Sequence, residues 1–300
     1  KYDFLNENSI QSIDFNELPN VAPMYFMVPK DFEVKASYDK GFQVNDLFLV
    51  NGVGLTTAHD DFVIQENKAE LLEFYKKFQS SPRDAEFLHK EFKVRKKTGW
   101  DILQGYDNIK NETDLSKYIK PISYRPFDNR FVFYEDKLVW RTVRKVMQHL
   151  LDGNNIGLVS ARSNKSETCD HFYISKNIME TKCGERTTQS AIFPLYLYPD
   201  TNGQQTIEQS NERKPNLKAG IVKGIAEQLG LTFTNEKETT ENTFAPIDIL
   251  DYIYAVLHSP TYREKYKEFL KIDFPRVPYP KEKDTFWQLV KLGGEIRQIH

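Results

Sequence analysis

The sequence predicts an α+β fold, with a mixed sheet at its centre and a helical part at its C-terminal end. Three observations point there. Strand-like runs crowd residues 121–199. Four-residue apolar spacing takes over after Leu217. Aromatic residues make up 13% of the 300, within an apolar total of only 39%. Those shares imply a core built on Phe and Tyr more than on small aliphatics. The length suits one large domain or two to three subdomains. Composition divides the chain into an α+β part at 1–120, a sheet-bearing part at 121–210 and a helical part at 211–300.

Taken in order, residues 24–28, bounded by Pro23 and Pro29, and residues 44–50 read as strands. A glycine-bearing loop at 51–61 follows, then the apolar run 62–64. Residues 67–78 place Leu71, Leu72, Tyr75 and Phe78 on one helical face. Ser81 is expected to cap a second helix with Pro82 at its first position and Phe87, Leu88 and Phe92 inward. Residues 100–109 form either a third helix or an irregular one broken at Gly105. Residues 131–134 make a strand. The run 141–151 makes a helix with Val143, Val146, Met147 and Leu150 inward, stopped by Asp152 and Gly153. Strands are predicted at 156–161, 171–174 and 191–198. Residues 200–215 are polar and read as a surface loop. Leu217, Ile221, Ile225 and Leu229 mark a helix ending at Gly230. Pro246 opens the next, Pro260 breaks it, and residues 261–270 continue it. A last helix at 284–299 is expected to bury Leu289, Leu292, Ile296 and Ile299.

Charge excludes some classes and localises others. Net charge is −2, which is not the global footprint of a basic nucleic-acid binder. The charges are segregated, however. Residues 1–50 hold eight acids against four lysines, and residues 90–145 hold fourteen basic groups against eight acids. Two cysteines, no signal-peptide pattern and no apolar run of spanning length predict a cytosolic protein with no membrane partner.

Several constellations could carry chemistry. Asp200 with Glu212 and Lys214 fits the loose carboxylate–lysine pattern of a metal-dependent nuclease, but the second half lies in a polar stretch that reads as a solvated loop. Cys169, His171 and Cys183, with His149 available, give an incomplete zinc series. Gly52 and Gly54 are a weak phosphate-cradle signal and read better as a tight turn. His59, Asp60 and Asp61 form either an acid/base cluster or an ordinary polar loop. No nucleophile elbow or reactive-cysteine signature is present. No catalytic or metal residue is therefore assigned.

The strongest constellation is basic. Arg125, Arg130, Arg141, Arg144, Arg162 and Arg186 fall within sixty-two residues, interleaved with aromatic rings. Guanidinium forks suit bidentate contact to guanine and to phosphate. Arg162, Ser163, Asn164 and Lys165 make one donor-rich loop after a strand; Lys182, Arg186, Thr187 and Gln189 make another. Both are expected to touch DNA. Arg125 and Arg130 either join them or brace a turn through Asp128. On this reading Arg162→Ala and Arg186→Ala weaken binding to a specific site more than to random DNA, and Lys96→Ala weakens both alike.

Four segments carry a resemblance: 52–63, Tyr124-Arg125-Pro126-Phe127-Asp128-Asn129-Arg130, 193–199, and 248–263 with 269–278. In that order they resemble the C-terminal target-recognition region of type ISP restriction–modification enzymes and related adenine-specific DNA methyltransferases. At 58–59, Ala-His stands where the family tends to have Gly-Arg. The family's Asn-Pro-Pro-Tyr methyltransferase motif and glycine-rich S-adenosylmethionine loop have no counterpart here. The resemblance therefore implies a specificity fragment without catalytic motifs of its own. Double-stranded DNA and a methyltransferase domain of the same polypeptide would be its partners. S-adenosylmethionine would be the parent enzyme's cofactor, with none in this chain. The rival reading is a protein-interaction scaffold that binds no DNA.

Overall fold

A computed structural model describes residues 9, 11–12, 32–151, 154–199, 212–240 and 242–300. The strand expected at 24–28, the stop at Asp152 and Gly153, and Asp200 lie outside these residues. Eight strands build two four-stranded sheets: β1 (Gly52–Val53), β2 (Ile64–Gln65), β3 (Ile119–Arg125), β4 (Asp128–Phe133), β5 (Gly157–Ala161), β6 (Phe172–Ser175), β7 (Ile178–Met179) and β8 (Ser190–Pro194). One sheet runs β1-β8-β5-β6, antiparallel throughout. The other runs β2-β4-β3-β7, with only the β3–β7 pair parallel.

The first sheet has two buried faces, and its sequence shows why. On β5, Leu158 and Val159 enter different hydrophobic cores; on β8, Phe193 and Ile192 do the same. Strand side chains alternate between faces, so a run that is apolar at every position needs a partner on both sides. One core joins 38–48 to the C-terminal helices; the other joins 55–151 to the sheet's opposite face. The first crosses the composition breaks at 120 and 210, and the second crosses the one at 120.

Helices flank the sheets. Among them are α1 (Lys68–Ser80), α2 (Ala85–Glu91), α3 (Ile102–Ile109), α4 (Ala219–Leu229), α5 (Pro246–His258), α6 (Pro260–Leu270) and α7 (Lys283–Ile299). The Asn67 side chain caps α1 by accepting from the Ala69 amide at 2.8 Å, and Leu71, Tyr75 and Phe78 are buried as expected. Tyr75 stacks on Phe133, with 3.6 Å between ring centroids, which fixes α1 to β4. Gly105 does not break α3. A Cβ there would strike the Leu138 side chain, so the residue is small because the helix passes close. Helix α4 ends at Gly230 with φ +62°, the left-handed cap expected of a glycine.

Four expectations are corrected. Residues 44–50 are not a strand: Val44–Leu47 is a short helix, and burial of Val44, Leu47 and Phe48 has helical spacing. The second helix is capped by Asp84, which accepts the Phe87 amide at 2.8 Å, and Phe87 turns outward. The helix at 141–151 starts only at Arg144, because the Arg141 backbone is bonded to Thr56 and Val143 sits at φ +47°. On α7 the inward seam runs through Phe286 and Gly293, which leaves Leu292 51% exposed and Ile299 on the surface.

Candidate nucleic-acid interface

An unbroken series of contacts runs from Lys97 to Lys182. Lys97 Nζ and Arg141 Cζ stand 3.6 Å and 4.7 Å from the Trp140 ring centroid. Arg141 exchanges two backbone hydrogen bonds with Thr56. Thr57 donates its hydroxyl to Asp60, whose other oxygen accepts from the Tyr124 hydroxyl at 2.8 Å. Arg125 stacks on Tyr124 at 3.9 Å and donates to Glu180 at 2.6 Å. Glu180 in turn accepts the Lys182 amide at 2.8 Å. Burial pushes the Glu180 carboxyl above its ordinary pKa, against the pull of that amide and of Arg125. The network ties the 52–61 loop, the β3–β4 hairpin and the start of the 182–189 loop into one surface.

The 182–189 loop is held from beneath and open above. Ser190 Oγ accepts the Gly184 amide at 3.0 Å. Buried Glu185 accepts the Thr187 amide at 2.9 Å, the Thr187 hydroxyl at 3.0 Å, and bonds His171 Nδ1 at 2.7 Å. Lys182, Arg186, Thr187 and Gln189 are exposed. Lys182 and Arg186 make no ion pair among the described residues. Burial alone would raise the Glu185 pKa, but its partners outweigh that and bring it below 4.5. A depressed carboxyl stabilises the loop above the unfolded value of 4.5, and the contribution is lost as pH falls through the lower folded pKa. The Thr187 amide resonance should therefore titrate below pH 4.5. A titration above that value would contradict the arrangement.

The other arginines are committed to the protein. Arg130 grips Asp128 with Nε at 2.9 Å and Nη2 at 2.8 Å, bracing the hairpin turn. Arg144 pairs with Asp136 at 2.9 Å. The 162–166 loop does not stand free. Arg162 donates to Asp273 at 2.9 Å, Ser163 Oγ to the Lys271 carbonyl at 2.6 Å, and the Asn164 amide to the Leu270 carbonyl at 3.0 Å. Those carbonyls end α6, where helical partners run out. Asn164 is only 1% exposed, so its side chain cannot reach a ligand on the surface in this arrangement. Lys165 alone of this loop is exposed without an ion pair among the described residues.

The family model of the Type ISP C-terminal specificity domain matches residues 46–300. The chain belongs to this family. Among solved structures, the specificity domain is similar to part of a DrdV–DNA complex determined by cryoEM. The TM-score is 0.66 at 19% identity, over 99% of this chain and 29% of that one. It is also similar to the ATP-dependent Type ISP restriction-modification enzyme LlaBIII bound to DNA, with TM-score 0.62 at 18% identity, covering 88% and 16%. A third is a nuclease-deletion mutant of the Type ISP enzyme LlaGI in complex with a DNA substrate mimic, with 0.62 at 18%, covering 99% and 22%. At these identities the likeness is one of fold, and this chain spans less than a third of each. No curated protein matches the sequence.

Among the other constellations, that of Asp200, Glu212 and Lys214 lies partly outside the described residues. Cys169 and Cys183 lie in different cores, on opposite sides of the first sheet. Among the described residues no cluster of His, Cys, Asp or Glu is placed to hold a metal. Lys214–Pro215 is a short strand paired with Tyr196–Leu197, and Arg213 grips Glu236 twice at 2.7 Å. Gly54 is small because a Cβ would sit 2.5 Å from the Glu180 carbonyl carbon, not because phosphate must approach. His59 sits against Trp100, and burial followed by Lys97 depresses its pKa. Ala58 holds φ +67°, a conformation suited to the family's usual glycine. Sequence reasoning missed Glu180 and Glu185, the carboxylates that set the loop. Neither lies in a motif, and each takes a partner from outside the loop, Glu180 from Arg125 and Glu185 from His171.

Proposed function

We propose that this specificity domain reads a short sequence in duplex DNA and presents a target adenine to an N6-methyltransferase domain of the same polypeptide. The observation that carries the reading is the 182–189 loop. Exposed Lys182, Arg186, Thr187 and Gln189 project from a base fixed by Glu180, Glu185 and Ser190. A preorganised donor set loses little freedom on binding, and Arg, Lys and Gln are the side chains that discriminate bases in the major groove. Lys97 and Arg141, held on Trp140, would meet phosphate. Arg162, Ser163 and Asn164 leave the base-reading set because Arg162 pairs with Asp273 while Ser163 and Asn164 cap α6. Arg125, Arg130 and Arg144 act as framework. S-adenosylmethionine would serve the methyltransferase domain.

Methylome sequencing of a host carrying the intact gene would give the motif. Binding is then measured on that motif and on random duplex across a salt series. Arg186→Ala should cost about 1–3 kcal/mol on the motif alone. Lys97→Ala should weaken both duplexes and reduce the salt slope by about 0.9. Equal losses on both duplexes for Arg186→Ala would contradict base reading by this loop.

A further inference from the structure

The β3–β4 hairpin turns on Pro126 and Phe127, and the second of these is out of place. Phe127 has φ +61°, in the left-handed region that bulky residues avoid. A proline followed by a positive φ is the pattern of a type II turn, whose third position ordinarily holds Gly or Asn. The side chain gains little shelter in return. It is 68% exposed, more even than the outward-turned Phe87 at 42%. Among the described residues its ring makes only edge contacts, to Tyr173 at 5.9 Å and to His300 at 5.3 Å. Backbone strain that displays rather than buries an aromatic ring points away from a packing role.

Its position supplies the partner. Tyr173 stacks loosely on His171, and His171 bonds Glu185 at the root of the 182–189 loop. A Cβ on Gly184 would lie 3.4 Å from the Tyr173 ring, so that ring borders the same loop. The hairpin itself is rigid, clamped by Arg130 on Asp128 and Arg125 on Glu180. An exposed ring on a stiff post therefore stands beside the proposed base-reading side chains.

We propose that Phe127 is an aromatic wedge that enters a base step of the bound duplex next to the bases read by the 182–189 loop, partly unstacking it. The inference rests on the DNA-reading function proposed above. Apolar wedges of this kind unstack one step and bend the duplex toward more protein surface, and an aromatic face replaces the stacking that the bases lose.

The test uses the recognised motif with 2-aminopurine placed in turn at each position of the motif and its flanks except the methylated adenine, whose extrusion would brighten it without a wedge, since this base brightens when unstacked. With the parent protein saturating, one step should brighten. Phe127→Gly and Phe127→Asn both suit a positive φ and should melt cooperatively. Both should lose the brightening and bind the motif roughly tenfold more weakly. Phe127→Trp should keep both properties. Brightening that persists in the Gly and Asn variants overturns the wedge, as does a parent complex that brightens nowhere. Loss of cooperative melting in both variants would make the ring a folding element and overturn it too. A parent that binds no duplex removes the DNA-reading function, and the wedge with it. A parent that binds its motif without brightening removes the wedge alone.

Discussion

Replacing Gly293 by alanine should destabilise the specificity domain by about 3 kcal/mol, whereas the same change at Gly220 should stabilise it by about 0.5–1 kcal/mol. Both glycines lie inside helices, where alanine is intrinsically preferred. Their surroundings reverse the outcome. A Cβ on Gly220 meets nothing within 4 Å. One on Gly293 would overlap the Asp251 carbonyl oxygen and lie 2.6 Å from its carbon and 3.1 Å from the Ala255 amide nitrogen. These are backbone atoms of α5, a helix buried almost end to end, and they cannot swing aside. The helices would have to separate, and Arg297 would lose its two-pronged grip on Asp251, now at 2.5 and 3.0 Å. Urea denaturation of the two variants decides the matter. A Gly293→Ala protein as stable as the parent would refute the close crossing.

Glu180→Ala should be the most damaging change near the proposed interface. It strips Arg125 of its 2.6 Å partner and leaves the Lys182 amide without its acceptor. Breaking a fully buried pair costs about 3–5 kcal/mol. Arg125 keeps a third of its side chain in water, which screens the loss, so about 2 kcal/mol is expected. Binding should suffer more selectively than stability. With its first anchor gone, the 182–189 loop would no longer present Lys182 and Arg186 in fixed positions. Discrimination between motif and random duplex should then fall by about 1–3 kcal/mol for each base that is no longer read, while affinity for random duplex stays near that of the parent. A cycle with Arg125→Ala separates the pair from the loop. If the single and double variants discriminate alike, the two residues act as one unit. Unchanged discrimination in Glu180→Ala would mean the loop is fixed by Glu185 and Ser190 alone.

What could be read from the sequence follows the range of the forces involved. Helices α1, α4, α5 and α6 were legible because caps and apolar spacing are local signals: Asn67, Gly230, Pro246 and Pro260 stand at or beside their ends. The strands of the first sheet were legible because runs such as 157–161 and 190–194 are buried at every position. The short helix at Val44–Leu47 was missed because four residues carry too little periodicity to separate it from a strand. The late start at Arg144 was missed because its cause, pairing of Arg141 with Thr56, lies eighty-five residues away in sequence. The same holds at the proposed interface. Both donor-rich loops look alike as sequences, and only the distant α6 terminus tells them apart by drawing in Ser163 and Asn164.

The sheet with two buried faces sets how this surface can change over time. Strand β8 begins at Ser190, where the 182–189 loop ends, and its next side chains are sorted between two cores. A slip of one residue would exchange Ile192 for Phe193 and send each to a cavity shaped for the other. Strand β7 is pinned likewise by its parallel pairing with Ile122 and Ser123. The loop therefore hangs between two posts whose register cannot drift. Substitutions at its exposed positions, Lys182, Arg186, Thr187 and Gln189, leave that frame alone. If the loop reads bases as proposed, a lineage could rewrite those few residues and acquire a new DNA word while the rest of the molecule goes on folding as before.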